Sequence, residues 1–541
     1  MNRLAGLDGM AFDAVVIGGG MAGAGVARDL ALRGASVALF EKGDFSSGTT
    51  SKSSKLIHGG LRYLELGDFK LVRESLREKK TLERLAPHLV RPLPFLVPIY
   101  RGSTRGLIRV RIGMWLYDLL TPGKRTERSR VIRPVDTLAL EPSIRADGLR
   151  GAGYYFDDLL LFPERMCLEN ALSAARHGAR VHNYCQVEEM VRGGRGVEAV
   201  RVRDLLSGQV HTVRGSTIIN CAGPWVDRVR QMGGVAEGAP RILRMTKGIH
   251  CLLPRMTDRA IYLSGEDERM IFVVPWREFT LVGTTDTDFQ GDPDRLWATR
   301  DEVTYLLATV ARALPDPRVA FDRVVYTYAG VRPLSWEEGV PESKVSREHR
   351  VVMEGPEGRF LSVTGTKLTC FRSLAEEVGD LVMARLGRSQ PSRSAALTLD
   401  GSDEEAATLE ARVSMDVSEE MAASGLSRET LEVLVETYGR GYGRVIELAR
   451  KLPDGTERLC PRNPEIVAQL HQAVREEMAV SLQDVLLRRT GIGLSLCQGL
   501  DCAEAVGSRM AELCGWSPRR LDAELAAYRQ HVDRSHRFRT Q

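Results

Sequence analysis

Glycines at positions 18, 20 and 23, followed by a glutamate at 41, are spaced for one kind of chemistry, the holding of a dinucleotide. Asp13-Ala14-Val15-Val16-Ile17 reads as a short buried strand and Gly18-Gly19-Gly20 as a turn. Met21 to Arg33 reads as an Ala-rich helix, and Ser36-Val37-Ala38-Leu39-Phe40 as a second apolar strand. In such a βαβ unit the first glycine permits the tight turn and the second lets the backbone approach a pyrophosphate. The third lets the helix pack closely on the strand, while the helix N-terminus offers N–H groups to the anion. Glu41 closes the second strand, where a carboxylate can accept hydrogen bonds from ribose hydroxyls and disfavours a 2′-phosphorylated ligand.

Three further features favour FAD over NAD. The βαβ unit stands at the extreme N-terminal end of the sequence. Thr217-Ile218-Ile219-Asn220-Cys221 reads as a buried strand ending at Ala222-Gly223-Pro224, and it resembles the strand-then-glycine segment that returns to the cofactor in two-dinucleotide-type flavoproteins. Val363-Thr364-Gly365-Thr366-Lys367-Leu368-Thr369 again places a glycine turn before a helix, whose N–H groups could stabilise negative charge on a reduced flavin. Between 46 and 65, small hydroxyls, two lysines and paired glycines suit a loop that wraps phosphate and flavin.

These residues need elements to position them. Residues 197–214 alternate apolar and charged around Ser207-Gly208, the pattern of a hairpin. Further strands are predicted at 248–253, 270–275, 279–284, 323–329 and 359–364, with a helix over 370–386. Residues 389–405 read as a linker. Apolar periodicity then predicts helices over 427–450, 464–489 and 502–532. The expected architecture is α/β and α+β: a Rossmann-like FAD-binding domain interleaved with a β-rich substrate or cap domain, followed by an all-α C-terminal domain. The FAD-binding domain takes 1–88, 151–240 and 346–390, the cap and membrane-facing segment 89–150, and the substrate-binding domain 241–345. Residues 391–405 are the linker and 406–541 the helical domain.

Bulk properties set the bounds. The 541 residues suffice for several domains, and a net charge of +4 is too mild for nucleic acid but suits an anionic substrate or lipid surface. The nine cysteines show no CxxC pair and no Cys/His metal spacing, and Cys497 and Cys502 alone do not make a site. Buried reduced thiols in a cytoplasmic setting, with no metal, are expected. Met1 to Phe12 lacks the pattern of an export signal, and no apolar run of ~18 residues could span a bilayer.

The stretch Ser53-Ser54-Lys55-Leu56-Ile57-His58-Gly59-Gly60-Leu61-Arg62-Tyr63-Leu64-Glu65 resembles the signature of FAD-dependent glycerol-3-phosphate dehydrogenases. Asn220-Cys221-Ala222-Gly223-Pro224-Trp225, Lys247-Gly248-Ile249-His250, Gly283-Thr284-Thr285-Asp286, Gly330-Val331-Arg332-Pro333-Leu334 and Gly365-Thr366-Lys367-Leu368-Thr369 agree in order. So does Leu482 to Thr490 in the helical part. Thr366, where many relatives carry glycine, and Cys370-Phe371 depart from the pattern. The resemblance implies a fold like the glycine and amino-acid oxidase flavoproteins. It also implies oxidation of sn-glycerol 3-phosphate to dihydroxyacetone phosphate, electrons passing from FAD to a membrane quinone, and a homodimer.

The substrate pocket of the family maps onto Arg62, Tyr63, His250, Thr285, Asp286, Arg332 and Lys367. Arg62, Arg332 and Lys367 can meet a phosphate dianion, and arginine's fork suits its oxygens. A base near the C2 hydroxyl helps hydride leave C2; His250 is the first candidate and His58 the alternative. His250, Arg332 and Lys367 form the expected catalytic set. Cofactor contacts are expected at Ile17, Gly18, Gly20, Met21, Ala22 and Gly23, and at Glu41 and Lys42. The flavin loop should add Thr49, Thr50, Ser53, Ser54, Lys55, Leu56 and His58, and the later turns Ala222, Gly223, Gly365, Lys367, Leu368 and Thr369.

Residues 89–133 mix apolar runs with Arg101, Arg105, Arg109, Arg111, Lys124, Arg125, Arg128 and Arg130. Such a mixture suits either peripheral contact with an anionic membrane face or a cap helix with an apolar core face and a solvated basic one. The alternative activity is an alpha-glycerophosphate oxidase releasing hydrogen peroxide, a branch that often carries an extra insertion not seen here. A multi-subunit relative usually has a Cys-rich module at its C-terminal end, which Cys497, Cys502 and Cys514 do not make.

Overall fold

The strand Ala11–Ile17 lies between two parallel neighbours, Val37–Phe40 and Val210–Asn220. Parallel pairing requires a crossover, and the helix Met21–Leu32 supplies it. The sheet continues through Phe360–Thr364 beyond Val210–Asn220 and through Arg180–His182 beyond Val37–Phe40. Both faces are covered, as a parallel sheet demands. Met21–Leu32, Pro163–Arg176 and Phe371–Arg385 pack on one side through Ala24, Ala27, Leu30, Met166, Ala171, Ala375 and Val378. The meander Cys185–Gly193, Gly196–Asp204 and Val210–Asn220 covers the other through Val187, Val200 and Val213.

This computed structural model describes residues 4, 6–65, 67–103, 106–121, 126–232, 240–265, 267, 269–339, 347–365, 367–399, 421 and 423–540, without the side chains of Arg62, Glu65 and Pro356. Arg105, Lys124, Arg125, Thr366 and residues 400–420 therefore lie outside the described residues.

A second, ten-stranded sheet forms the substrate lobe. Its long strands Leu243–Pro254 and Tyr326–Ser335 run antiparallel, and Phe279–Gly283 and Met270–Trp276 extend the sheet. It then continues through Ala260–Ser264 to Val90–Tyr100, Leu149–Leu160 and Leu56–Ile57. The division expected at 150/151 thus passes through a strand of the substrate sheet, because Leu149–Leu160 pairs with Val90–Tyr100 rather than with the nucleotide-binding sheet. The junction of the lobes follows one strand. Thr49 Oγ1 and Gly365 N–H donate to the carbonyls of Val331 and Pro333, and Tyr328 Oη donates to the carbonyl of Ser53.

The periodic C-terminal stretches each contain two helices, and in the first and third a glycine marks a helix end. Arg428–Tyr438 and Tyr442–Lys451 are separated by Gly439, and Ala503–Cys514 ends at Gly515, which is left-handed. Ser517 then caps Pro518–Ser535 through the Arg520 amide. The helical part is locked to the nucleotide-binding lobe by buried ion pairs. Arg489 and Arg488 hold Asp44 at 2.8 and 2.7 Å, and Arg165 meets Glu477 at 2.6 Å. The segment expected as a linker is docked over its described part: Arg28 donates to the carbonyls of Ser394 and Leu397, and Leu399 is fully buried. Arginine can satisfy loop carbonyls inside a core, which composition alone does not reveal.

Candidate active site

One cavity of about 630 Å³ opens between the two sheets. Its dinucleotide end is built by the first βαβ unit. Gly18 has φ +103, and a β-carbon there would lie 2.6 Å from the Cys221 carbonyl. A β-carbon at Gly23 would come within 1.9 Å of the Gly18 oxygen, so Gly23 serves helix packing and does not line the cavity. Glu41 is fixed from both sides, by Gly19 N–H at 2.6 Å and Gly43 N–H at 2.7 Å. Each carboxylate oxygen keeps a second lone pair for a ribose hydroxyl. Gly20 starts its helix with no side-chain cap, although Thr50 Oγ1 accepts from the Met21 amide at 3.0 Å. A glycine cradle, a helix N-terminus and a facing carboxylate fit the pyrophosphate and ribose of a dinucleotide.

Ile17, Gly18, Gly20, Met21, Ala22, Glu41 and Lys42 line this end, with Ala222 and Gly223 beside them. Thr49, Thr50, Ser53, Ser54, Leu56 and His58 continue the wall, and Gly365, Lys367, Leu368 and Thr369 close it. Lys55 is an exception. Its backbone is left-handed, φ +56, and its ammonium is buried 3.7 Å from Glu164 and 4.7 Å over the Trp276 ring. Lys52 of the same loop touches the cavity wall, but its charged neighbours, Glu164, Arg488 and Lys55, lie behind the loop.

The other end holds the reactive side chains. His250 pairs with Gly283 across the antiparallel strands, and its Nε2 lies 2.8 Å from Ser54 Oγ. Its ring stacks on Tyr328 at 4.8 Å. Burial, with Arg332 and Lys55 adding to it, holds the His250 pKa well below the ordinary imidazole value, so the ring is neutral. His58 is neutral for the same reason, burial first and then Lys367 and Lys79. Arg332 donates to Asp286 at 3.1 Å, to Thr284 Oγ1 at 2.9 Å and to the Thr285 carbonyl at 3.1 Å. Arg347 takes the other Asp286 oxygen at 2.8 Å. Burial pushes the Asp286 carboxyl up, but the two guanidinium groups hold it below its ordinary value.

Glycines make room for these groups. A β-carbon at Gly248 would sit 2.4 Å from Arg332 Nη2, one at Gly283 2.1 Å from the His250 ring, and one at Gly330 2.5 Å from Lys52. Lys367 lies behind Tyr63, its ammonium 5.1 Å from the ring and bonded to the His58 carbonyl at 2.8 Å and Ser75 Oγ at 2.9 Å. Thr285 does not line the cavity; its hydroxyl accepts from the Ile249 amide at 3.1 Å. It therefore positions the strands rather than facing a ligand. The side chain of Arg62 lies outside the described residues.

Among the described residues, seven basic ones, Lys42, Lys52, Arg228, Arg269, Arg332, Arg347 and Lys367, line the cavity against three acids, Glu41, Asp68 and Asp286. That balance attracts a ligand with several phosphate groups. Arg347, Arg269 and the aromatic wall of Tyr155, Tyr262 and Phe272 were not found from sequence. Nothing local marks them, since each reaches the site from a separate strand or loop.

Comparison with known proteins agrees with this geometry. The family model described as FAD dependent oxidoreductase matches residues 13–365, and the C-terminal domain of alpha-glycerophosphate oxidase matches residues 392–521. The chain is 36% identical over 551 residues to a glycerol-3-phosphate dehydrogenase of Synechocystis sp., covering 99% of both. It is 33% identical to the aerobic glycerol-3-phosphate dehydrogenase of Staphylococcus aureus, covering 97% of this chain and 94% of that one. The structure of glycerol-3-phosphate dehydrogenase from Bacillus halodurans complexed with FAD superposes with a TM-score of 0.81 at 27% identity, over 98% of this chain and 97% of that one. L-alpha-glycerophosphate oxidase of Mycoplasma pneumoniae shares the fold of 71% of this chain and 96% of its own, with a TM-score of 0.55 at 16% identity. With the glycine cradle and the cationic cavity between its two sheets, the chain belongs to the FAD-dependent glycerol-3-phosphate dehydrogenase family.

Proposed function

We propose that this protein oxidises sn-glycerol 3-phosphate to dihydroxyacetone phosphate and delivers the electrons to a quinone at a membrane surface. The observation that carries the reading is a neutral histidine, His250, sharing one cavity wall with the Arg332–Asp286–Arg347 cluster. Bound FAD supplies the acceptor for the hydride leaving C2. Arg332 and Arg347 bind the phosphate, and Asp286 holds both forks while the pair keeps a net positive charge. His250 Nε2 accepts from Ser54 Oγ 2.8 Å away, so the C2 hydroxyl proton reaches the ring through Ser54, whose hydroxyl takes it while passing its own proton to Nε2. A neutral ring is needed for this, and burial provides it. Lys367, tied to the His58 carbonyl, holds the flavin loop against the last glycine turn. Tyr63 and Phe272 exclude water from that side.

The helix Leu107–Leu119 supports a membrane acceptor. Ile108, Ile112, Trp115 and Leu119 share one face and are 76%, 54%, 63% and 62% exposed, whereas Met114 and Tyr117 are buried on the other. This differs from a cap helix with its apolar side on the core and a basic side in solvent. Arg109 and Arg111 flank the exposed apolar face, an arrangement for an anionic lipid surface. Among the described residues no helix is long and apolar enough to cross a membrane. The buried side of the helix reaches the site: Tyr117 Oη accepts from the Gly59 amide at 3.0 Å and donates to Asp157 at 2.6 Å. A lipid-borne acceptor at this face would therefore stand close behind the flavin loop.

The test is anaerobic stopped-flow mixing of the yellow protein with glycerol 3-phosphate, then with a short-chain quinone or with oxygen. Flavin bleaching by the phosphate ester but not by glycerol, followed by fast recovery with quinone, is expected. No bleaching would end the substrate reading. Fast recovery with oxygen and peroxide release would replace the quinone with the oxidase activity.

A further inference from the structure

Away from the cavity, the helical domain brings together four side chains that sequence spacing had left apart. Cys460 precedes the helix Val467–Arg475, and Cys497, Asp501 and Cys502 lie in the turn before Ala503–Cys514. Cys460 Sγ is 3.7 Å from Cys497 Sγ and 3.5 Å from Asp501 Oδ1. The ligand atoms of Cys460, Asp501 and Cys502 all lie within 4.8 Å of one another. Cys460 and Cys502 are buried.

The Cys460–Cys497 and Cys460–Asp501 separations have the size of a tetrahedron's edges. With zinc–sulfur bonds of about 2.3 Å and a zinc–oxygen bond of about 2.0 Å, tetrahedral geometry sets sulfur–sulfur edges near ~3.8 Å and sulfur–oxygen edges near ~3.5 Å. A disulfide would need sulfurs about 2.05 Å apart. The surroundings also aim polar groups at the sulfurs. Asn463 Nδ2 donates to Cys460 Sγ at 3.0 Å and to Cys497 Sγ at 3.3 Å, and Ser495 Oγ lies 3.2 Å from Cys497 Sγ. Cys460 Sγ in turn donates to Asp501 Oδ1, so the set stands in its protonated form and binding a cation would release the thiol protons. Arg462 lies 3.4 Å from Asp501 Oδ2, leaving Oδ1 toward the sulfurs. Cys502 is the N-cap residue of a twelve-residue helix. Its thiol points at the Gly499 carbonyl, 3.4 Å away, and must swing inward to ligate.

We propose that Cys460, Cys497, Cys502 and Asp501 bind one tetrahedral, thiophilic divalent cation, zinc by ligand type, as a structural centre of the C-terminal domain. Three sulfurs and one carboxylate leave no open position, so the ion braces the fold. It ties the loop before Val467–Arg475 to a turn that grips the substrate sheet: Gln498 Nε2 donates to the Val325 carbonyl at 2.7 Å, and the Leu496 amide to Glu278 at 3.2 Å. The ion would hold the helical domain against the back of that sheet.

The experiment is metal analysis of the full-length flavoprotein purified without chelators or metal-affinity resin. One equivalent of zinc per chain is expected, and exchange for cobalt should bring in sulfur-to-cobalt charge-transfer absorption with tetrahedral ligand-field bands. Asp501→Asn keeps all three sulfurs and should fold, yet lose its ion to a chelator faster than the wild type while retaining flavin and substrate oxidation. Cys502→Ser should lower the metal content and weaken the charge-transfer band. Substoichiometric metal with no sulfur-to-cobalt absorption would overturn the proposal. So would recovery of a Cys460–Cys497 disulfide by alkylation and mass mapping, or full metal retention in Cys502→Ser.

Discussion

His250 lies directly opposite Gly283 in the antiparallel sheet, and its imidazole occupies the space a side chain at 283 would need. Gly283→Ala would place a methyl group 2.1 Å from the ring, which must rotate away from Ser54. A misplacement of this size costs on the order of a hundredfold in rate. The expected result is a fall of about that size in kcat/KM with flavin content unchanged. Steady-state kinetics beside the flavin absorbance checks it; unaltered kcat/KM would remove His250 from the chemistry.

Arg332 is held by Asp286 and Thr284, so its fork is set before a ligand arrives. Charge-assisted hydrogen bonds are worth about 1.5–3 kcal/mol, which is roughly 10–100-fold in binding. Arg332→Gln should raise KM for glycerol 3-phosphate by that factor, and inorganic phosphate should weaken in parallel as a competitive inhibitor. A loss confined to kcat would place Arg332 at the reacting carbon instead.

Burial lowers the Lys52 pKa to about 8, aided by Arg488 and Lys55 and opposed by Glu164. Lys52 is therefore a cation below that pH and neutral above it. Its charged neighbours, Glu164, Arg488 and Lys55, lie behind the flavin loop and not in the substrate cavity, so KM for glycerol 3-phosphate should show no step as pH passes through about 8. His250 is held well below its ordinary value, so no acid limb near 6.5 is expected in kcat. Profiles of kcat and kcat/KM against pH test both statements.

Burial raises the Asp44 carboxyl, but Arg489 and Arg488 outweigh it and hold the pKa at about 2. Its stabilising contribution is complete above the ordinary value of 3.8 and disappears as pH falls through about 2. Asp44→Asn leaves two buried guanidinium groups without their anion, a loss of about 3–5 kcal/mol. Thermal melts should show a lowered Tm with a constant gap above pH 3.8 that narrows toward pH 2. An unchanged Tm would mean that water or another carboxylate replaces Asp44.

Ile112 and Trp115 sit on the exposed face of Leu107–Leu119, while Tyr117 on the other face bonds the flavin loop. Ile112→Glu with Trp115→Glu should abolish sedimentation with anionic vesicles at low salt. Oxidation of glycerol 3-phosphate with a soluble dye should persist. Retained vesicle binding would move the membrane contact elsewhere.

The dinucleotide cradle was legible because its signals are local. A turn glycine, an alternating or continuous apolar run and a helix-starting N-terminus are all read within about 30 residues. Val37–Phe40, Gly196–Asp204 and Phe371–Arg385 arise close to where periodicity places them. Long-range pairing is different. That Leu149–Leu160 joins the substrate sheet, and that Arg347 meets Arg332 on Asp286, depends on strand edges and loops far apart in the chain. Lys55 has a left-handed backbone and carries its ammonium to Glu164, away from the cavity, and no pattern of residue types encodes that reversal. The cysteines are the plainest case: 460 and 497 read as unrelated thiols in one dimension, and only helix packing brings their sulfurs to 3.7 Å. Local chemistry is written in neighbouring residues, whereas a site drawn from distant segments exists only once burial and sheet register have settled which side chains share a volume.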